Sequence, residues 1–286
     1  MDRRGGSGLS GVCQRLIKKL TQLWHKNMTG PSLIPIPKEK MANLLPLFLE
    51  EPSITSPIYL LNNQRGEAYA DQVDEPGVAL VHLSVDSDNP DNVYLAGRKL
   101  VPNLYQFLNS LSNPIHLFPQ PEAETTVAQI LPKDVVSSPY YIFTGKKPIS
   151  QTEPILPRKM SIRPLSWEDR QMFHSAKPPY WFNYIMGEET ALQGGWLWGL
   201  FSKRRLVSVS GVHDYTKNME NIAVFTAEKY RGRGFARLVC QVLLKEISSR
   251  GRNPLWTCSA DNIASQNLAR SLGLIFHSEQ RIYRLP

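Results

Sequence analysis

Residues 221 to 249 carry the feature that most constrains this chain. An apolar run of strand length, NIAVFT, breaks into the basic, glycine-bearing turn AEKYRGRG and continues at once as FARLVCQVLLKEISS. An unbroken apolar run of this length suits a central strand covered on both faces. Beyond the turn, Phe235, Leu238, Val239, Val242, Leu243 and Ile247 recur at helical spacing, and Gly251 supplies a stop. A further strand, PLWTC, follows. Strand, helix and strand in this order predict a right-handed crossover and two parallel neighbours, residues 222–226 and 254–258.

The turn therefore lies at the carboxyl end of a central strand, where α/β proteins place ligands. The first amides of the following helix lack intrahelical acceptors, and the helix dipole adds positive potential there. Gly232 and Gly234 keep side chains off an approaching anion, Ala236 is small, and Arg231 and Arg233 add charge, so a phosphate or pyrophosphate is the natural guest. The pattern is neither the Walker loop nor the three-glycine dinucleotide fingerprint. A plain strand-to-helix turn with permissive glycines is the competing explanation.

Charge divides the 286-residue chain into three stretches. Residues 1–40 carry a net +6, residues 41–157 a net −7 and residues 158–286 a net +9. An acidic middle beside a basic C-terminal part suggests two domains, the second suited to an anionic ligand. With no zinc-finger spacing, aromatic RNA-binding signature or long basic stripe, nucleic acid is not expected as a partner. Three scattered cysteines, Cys13, Cys240 and Cys258, form no CxxC pair, which predicts reduced thiols. No apolar run is long enough for a membrane-spanning helix. The cytoplasm is the expected location, although the basic amphipathic stretch GVCQRLIKKLTQLWHKN within residues 1–30 also reads as an organelle transit segment, a membrane-surface anchor or a solubilising extension.

The rest of the chain divides into a basic extension and linker at 1–40, an α/β domain at 41–148, a proline-bearing linker at 149–159 and the C-terminal domain at 160–286. In 41–148, KEKMANLLPLFLE and VPNLYQFLNSL read as helices, and SPIYLL, GVALVHLSV, NVYLAG, PIHLFP and YYIFTG as strands. In the C-terminal domain WLWGLF and RLVSVSGV read as a hairpin, DNIASQNLARSLG as a helix, and LIFHS and RIYRL as a final pair of strands. Neither half shows His, Cys or carboxylates at metal-ligand spacing, so no metal is expected.

The stretch AVFTAEKYRGRGFARLV resembles the acetyl-coenzyme A loop of the GNAT superfamily of N-acyltransferases, Arg/Gln-x-x-Gly-x-Gly/Ala between a strand and a long helix. ADNIASQNLARSLGL is similar to the same family's next helix, Asn-x-x-Ser/Ala-x-x-Leu. Two motifs in the right order on the expected elements cover residues 160–286, and the layout is most similar to the glycine N-acyltransferase type, whose first half is a degenerate GNAT-like unit. The resemblance implies a mixed, mostly antiparallel sheet with a central parallel pair. It also implies that backbone groups of Val224, Phe225 and Thr226 pair with the pantetheine arm where the strand at 254–258 splays away. The amides of Arg231, Gly232, Arg233, Gly234, Phe235 and Ala236 would hold the pyrophosphate. Asn262 and Ser265 would face the coenzyme, and for Asn262 a helix N-cap is an equal reading.

Acyl transfer to an amine needs a proton acceptor, donors for the oxyanion and a proton for the leaving thiolate. Glu220 falls where glycine N-acyltransferase-like members place a base; a solvated carboxylate at a strand end is the rival reading, and His213 and Asp214 are second choices. Asn221 faces the other way, so a slip of one residue would remove the carboxylate from the site. The family's usual tyrosine after the leucine of the second helix is absent, because Ala269 follows Leu268. Cys258 reads first as a small core residue, and Trp181, Phe182, Tyr184, Trp196 and Trp198 first as core and second as an acceptor pocket. The expected activity is acyl transfer from acetyl-coenzyme A, as co-substrate, to a primary amine. A coenzyme A-binding sensor or scaffold is the alternative, and a second copy of the chain is an admissible partner.

Overall fold

A computed structural model describes residues 32–48, 52–85, 88–99, 101, 103–145 and 154–286. The basic amphipathic stretch and most of the proline-bearing linker lie outside the described residues. The N-terminal half runs β1 (Ile34–Pro35), a 3-10 helix (Lys38–Leu47), α1 (Ser56–Asn62), β2 (Glu67–Ala70), β3 (Val78–Leu83), β4 (Asp91–Gly97), α2 (Leu104–Asn109), β5 (Ile115–Pro119), α3 (Glu124–Ile130) and β6 (Val136–Thr144). The C-terminal half repeats that order as β7 (Met160–Pro164), α4 (Arg170–Ser175), α5 (Glu188–Gln193), β8 (Leu197–Ser202), β9 (Arg205–Tyr215), β10 (Met219–Thr226), α6 (Phe235–Ser249), β11 (Asn253–Ser259), α7 (Ile263–Ser271) and β12 (Ile275–Leu285).

The twelve strands of the described residues form one sheet, ordered β1-β2-β3-β4-β5-β12-β6-β11-β10-β9-β8-β7. Each half lends its last strand to the other: β6 lies between β12 and β11, and β12 pairs with β5. The sheet is mostly antiparallel, with parallel pairs at β4/β5 and β10/β11. The outer edges of the sheet are the short strands β1 and β7, whose shortness limits unwanted strand pairing.

The strand–turn–helix–strand expectation holds, with β10 and β11 parallel. The buried face of α6 is made of Phe235, Val239, Cys240, Leu243, Leu244 and Ile247, each fully buried aliphatic side chain contributing about 1.5–3 kcal/mol. Leu238 and Val242 sit at its margin, half-buried, because α6 faces the sheet along a stripe rotated toward Cys240 and Leu244. In the other half SPIYLL is a helix, not a strand. Pro57 occupies its first turn, and residues 56 to 61 are all buried, so being covered on every side erased the helical period. Within KEKMANLLPLFLE the residues Lys38–Leu47 form a 3-10 helix that accommodates Pro46, and the expected final strand pair is the single strand β12, with a register shift between Phe276 and Ser278.

Candidate active site

The parallel pair β10/β11 aligns only Met219 with Asn253, Glu220 with Pro254 and Asn221 with Leu255. Beyond that point the strands part, while β10 stays paired with β9 to Thr226 and β11 stays paired with β6 to Ser259. A wedge therefore opens between Ile222–Thr226 and Trp256–Ser259. Peptide groups alternate sides along a strand. The amide of Ala227 donates to Val207 on β9, and the carbonyls of Ala223 and Phe225 accept from the Ser210 and Ser208 hydroxyls of β9. The backbone groups of Ile222, Val224 and Thr226 consequently face the wedge, whereas those of Phe225 are spent on β9.

At the wide end of the wedge, Gly232 and Gly234 have φ of +72° and +75°. An added Cβ at either would meet nothing within 4 Å, so the left-handed backbone, not a lack of room, requires glycine here. Gly234 is the N-cap of α6 and supplies no side chain to the first helical amides; the first intrahelical bond is Leu238 N–H to Gly234 O. The amides of Phe235, Ala236 and Arg237 thus point out of the helix end with no intrahelical acceptor. No acidic side chain stands in that first turn. Arg231 Nε donates to Thr226 O at 3.1 Å, bringing its guanidinium to the rim of the wedge, and Arg233 lies over the Tyr230 ring.

A wedge lined by free strand-edge amides and closed by an uncapped, arginine-flanked helix end fits a long polar chain terminating in a pyrophosphate. The GNAT acetyltransferase family model matches residues 46–283. The chain belongs to the GNAT acetyltransferase family. Among solved structures the fold of this GNAT protein is similar to a GCN5-related N-acetyltransferase-like protein from Streptococcus suis, at 20% identity and TM-score 0.64, covering 87% of this chain and 99% of that one. It is also similar to a Drosophila protein, at 16% identity and TM-score 0.63, covering 90% and 99%. A tandem GNAT protein from the clavulanic acid biosynthesis pathway matches at 12% identity and TM-score 0.62, covering 88% and 97%. A search of curated proteins returned no match. The glycine N-acyltransferase layout is not confirmed by these matches. Among the described residues of this GNAT protein, no helix is long and apolar enough to cross a membrane.

Glu220 sits on the α6 side of the sheet, fully buried, below the point where the strands part. Arg250 holds it through Nε at 2.7 Å and Nη2 at 2.6 Å, and Arg252 Nη1 adds a contact at 3.0 Å. The two arginines in turn cover Trp196 and Tyr215, whose rings stack at 4.9 Å. The carboxylate is thus committed to a clamp between β10 and the C-terminal end of α6, and the structure does not bring it to the wedge.

On the opposite face β9 carries a bulge. Asn221 pairs with Asp214 and Ile222 with Val212, leaving His213 as the extra residue. The bulge places the consecutive residues His213 and Asp214 on one face, which a regular strand cannot do. Asp214 is fully buried and accepts from Thr55 Oγ1 at 2.5 Å, Ser56 Oγ at 2.9 Å, His213 Nδ1 at 2.8 Å and Asn221 Nδ2 at 3.1 Å. Burial pushes its carboxyl up, but the bond and charge of His213, with Thr55 and Asn221, outweigh that and hold it below the ordinary carboxylate range. His213 Nε2 lies 3.1 Å from Trp181 O, so each ring nitrogen stands within hydrogen-bond distance of an oxygen. Sequence reasoning missed the contribution of Thr55 and Ser56, which lie 159 and 158 residues from Asp214.

Asn262 is the N-cap of α7, its Oδ1 accepting from Ser265 N–H at 3.0 Å. Ser265 Oγ accepts from Trp256 Nε1 at 3.0 Å, which ties α7 to β11 beside the wedge. Ala269 is fully buried, and Cys258 is buried with its thiol pushed up by desolvation. Of the aromatic group, Phe182 is core, Trp181 is exposed, and Tyr184 packs edge-on to His213 at 5.5 Å.

Proposed function

We propose that this protein is an acyl-coenzyme A-dependent N-acyltransferase that moves an acetyl or other acyl group from acyl-coenzyme A to a primary amine. The observation that carries the reading is the parting of β10 and β11 after Asn221 and Leu255, directly below the glycine turn and the open end of α6. Ile222, Val224 and Thr226 would pair with the pantetheine arm through their outward backbone groups, and the amides from Arg231 to Ala236 would receive the pyrophosphate. The Ile222 and Val224 N–H groups are fixed by the β9 pairing before substrate arrives, as oxyanion donors need to be. Asn262 and Ser265 stand at the β11 side of the coenzyme site, Asn262 as cap and Ser265 as the Trp256 anchor. The polar cluster around Asp214, shared between the halves, would form the floor of the acceptor side.

Isothermal titration with acetyl-coenzyme A tests the coenzyme site: saturable heat in the wild-type protein, lost in Gly234→Glu, is expected, and no heat in the wild type would sink the reading. A second reading, a coenzyme A-binding sensor or scaffold, is favoured by Ala269 and by the engagement of Glu220 with two arginines. Release of free thiol with any member of a panel of primary amines decides against it.

A further inference from the structure

We propose that Tyr140, a residue of the N-terminal half, hydrogen-bonds the leaving sulfur at the narrow end of the wedge and protonates it as the thioester is cleaved. The assignment rests on the acyltransferase reading above. In it, the amine nitrogen bonds to the thioester carbon, the carbon–sulfur bond breaks on collapse of the tetrahedral adduct, and the phenol proton passes to the departing thiolate. The proton shed by the amine leaves to solvent and the phenolate is reprotonated from solvent, so that the products are an amide and a free thiol.

Strand exchange is what brings this side chain to the site. Tyr140 lies on β6, which the first half inserts beside β11, and its Cα stands opposite Ser259. Neighbouring strands are about 4.8 Å apart, so a residue on β6 reaches the wedge only by leaning across β11. Tyr140 does lean that way: its hydroxyl donates to Thr257 Oγ1, two residues nearer the point where β10 and β11 part. Thr257 and Tyr140 share the face that carries Asp214, because paired residues project to one side of a sheet and Ile142 is paired with Thr257.

Among the phenols gathered on this face, Tyr140 alone stands on the strand bordering β11. Tyr94, 2% exposed, accepts from Asn92 Nδ2 at 3.3 Å and stacks on Phe118, which holds the Tyr140 ring edge-on at 6.3 Å. Tyr184 comes from the segment after α4 and is hydrogen-bonded to Tyr94. The Tyr140 bond to Thr257 is long at 3.4 Å, so a better acceptor can take the proton. Burial, opposed by Thr257 and helped by Cys258 and Asp214, keeps the phenol above its ordinary range and hence protonated until a thiolate forms. The fully buried Ala269 on α7 offers no hydroxyl of its own.

The test compares wild-type protein with Tyr140→Phe, with coenzyme binding measured alongside turnover. The expected result is a fall in kcat of about 100-fold, the usual scale for loss of a general acid, with acetyl-coenzyme A affinity within twofold. With an aryl thioester donor, whose thiolate leaves without a proton, the loss should shrink to under about threefold, which a purely structural role would not produce. Where Tyr140→Phe misfolds, fluorotyrosine incorporated at position 140 keeps the packing and should shift the basic limb of the pH–rate profile to lower pH; an unmoved limb overturns the assignment. Turnover in the wild type that Tyr140→Phe leaves within twofold overturns the Tyr140 role alone. Absence of turnover with every amine in the wild type overturns the acyltransfer reading, and this assignment with it.

Discussion

The two halves of the chain place the same elements in the same order, yet their parallel strand pairs differ in one decisive way. In the first half β4 and β5 stay in register from Asp91 opposite Ile115 to Leu95 opposite Pro119, so that β5 is paired along its whole length. In the second half β10 and β11 stop pairing after Asn221 and Leu255. The turns that follow differ in kind as well. After β4 the chain has Lys99, which is tied to the buried carboxylate of Asp71 at 2.6 Å, before α2, a helix of six residues. After β10 it has two left-handed glycines and a helix of 15 residues. A sheet that closes its edges is a scaffold, and the same sheet left open for a few residues becomes a slot. What separates them is a handful of unmade hydrogen bonds and a pair of left-handed glycines.

The sharpest way to break this comparison is to spoil one turn and leave the other. Gly234→Glu forces a side chain into left-handed backbone and puts a carboxylate at the helix end, so acetyl-coenzyme A affinity should fall by more than about 100-fold, or about 2.7 kcal/mol, by titration calorimetry. Lys99→Ala in the matching turn of the first half should leave that affinity within twofold; an equal loss would mean that both halves bind coenzyme.

The clamp below the wedge acts on stability instead of coenzyme affinity. Glu220→Gln leaves Arg250 and Arg252 facing a neutral amide in a buried position, and unfolding in denaturant should show a loss of about 3–5 kcal/mol. If the variant instead keeps its stability and loses turnover, Glu220 is the base and the clamp is secondary.

The joint between the halves comes third. Asp214→Asn weakens bonds from Thr55, Ser56, His213 and Asn221 and should cost about 2–3 kcal/mol. Because the folded Asp214 carboxyl is held below its ordinary value, its contribution is complete above pH ~4 and is lost as the pH falls through the folded value. The acid limb of the melting temperature against pH should therefore be shallower in Asp214→Asn than in the wild type. The smallest expected effect is that of Asn262→Ala, which removes the α7 cap at a cost of about 1 kcal/mol. Coenzyme affinity unchanged in that variant assigns Asn262 to the cap alone; a tenfold loss adds a coenzyme contact.

How much of this was legible beforehand differs by element. The β10 turn and α6 were readable because each residue's role there is local: an apolar run, glycines where φ is positive, and a helical stripe. Even so, the glycines serve backbone conformation more than clearance. The helix α1 was misread because burial on every side removed its period, and β12 was split in two because its polar middle gave no sign that two strands would flank it. The register question at Glu220 and Asn221 was posed correctly by strand alternation. Its answer depends on Arg250, which lies 30 residues away at the C-cap of α6 and has no signature in the strand.

By itself, the sequence determined the crossover, the glycine turn, the uncapped helix start and the absence of a tyrosine after Leu268, all properties fixed by neighbours within a few residues. Only the tertiary structure decided which carboxylate meets which partner, that β6 and β12 change places, and that Tyr140 leans toward Thr257 over a strand from the other half. The physical reason is range. Backbone conformation and helical periodicity are settled within a turn or two of chain, whereas strand exchange and hydrogen bonds between the halves bring together residues more than a hundred positions apart, and nothing in either segment alone records the meeting.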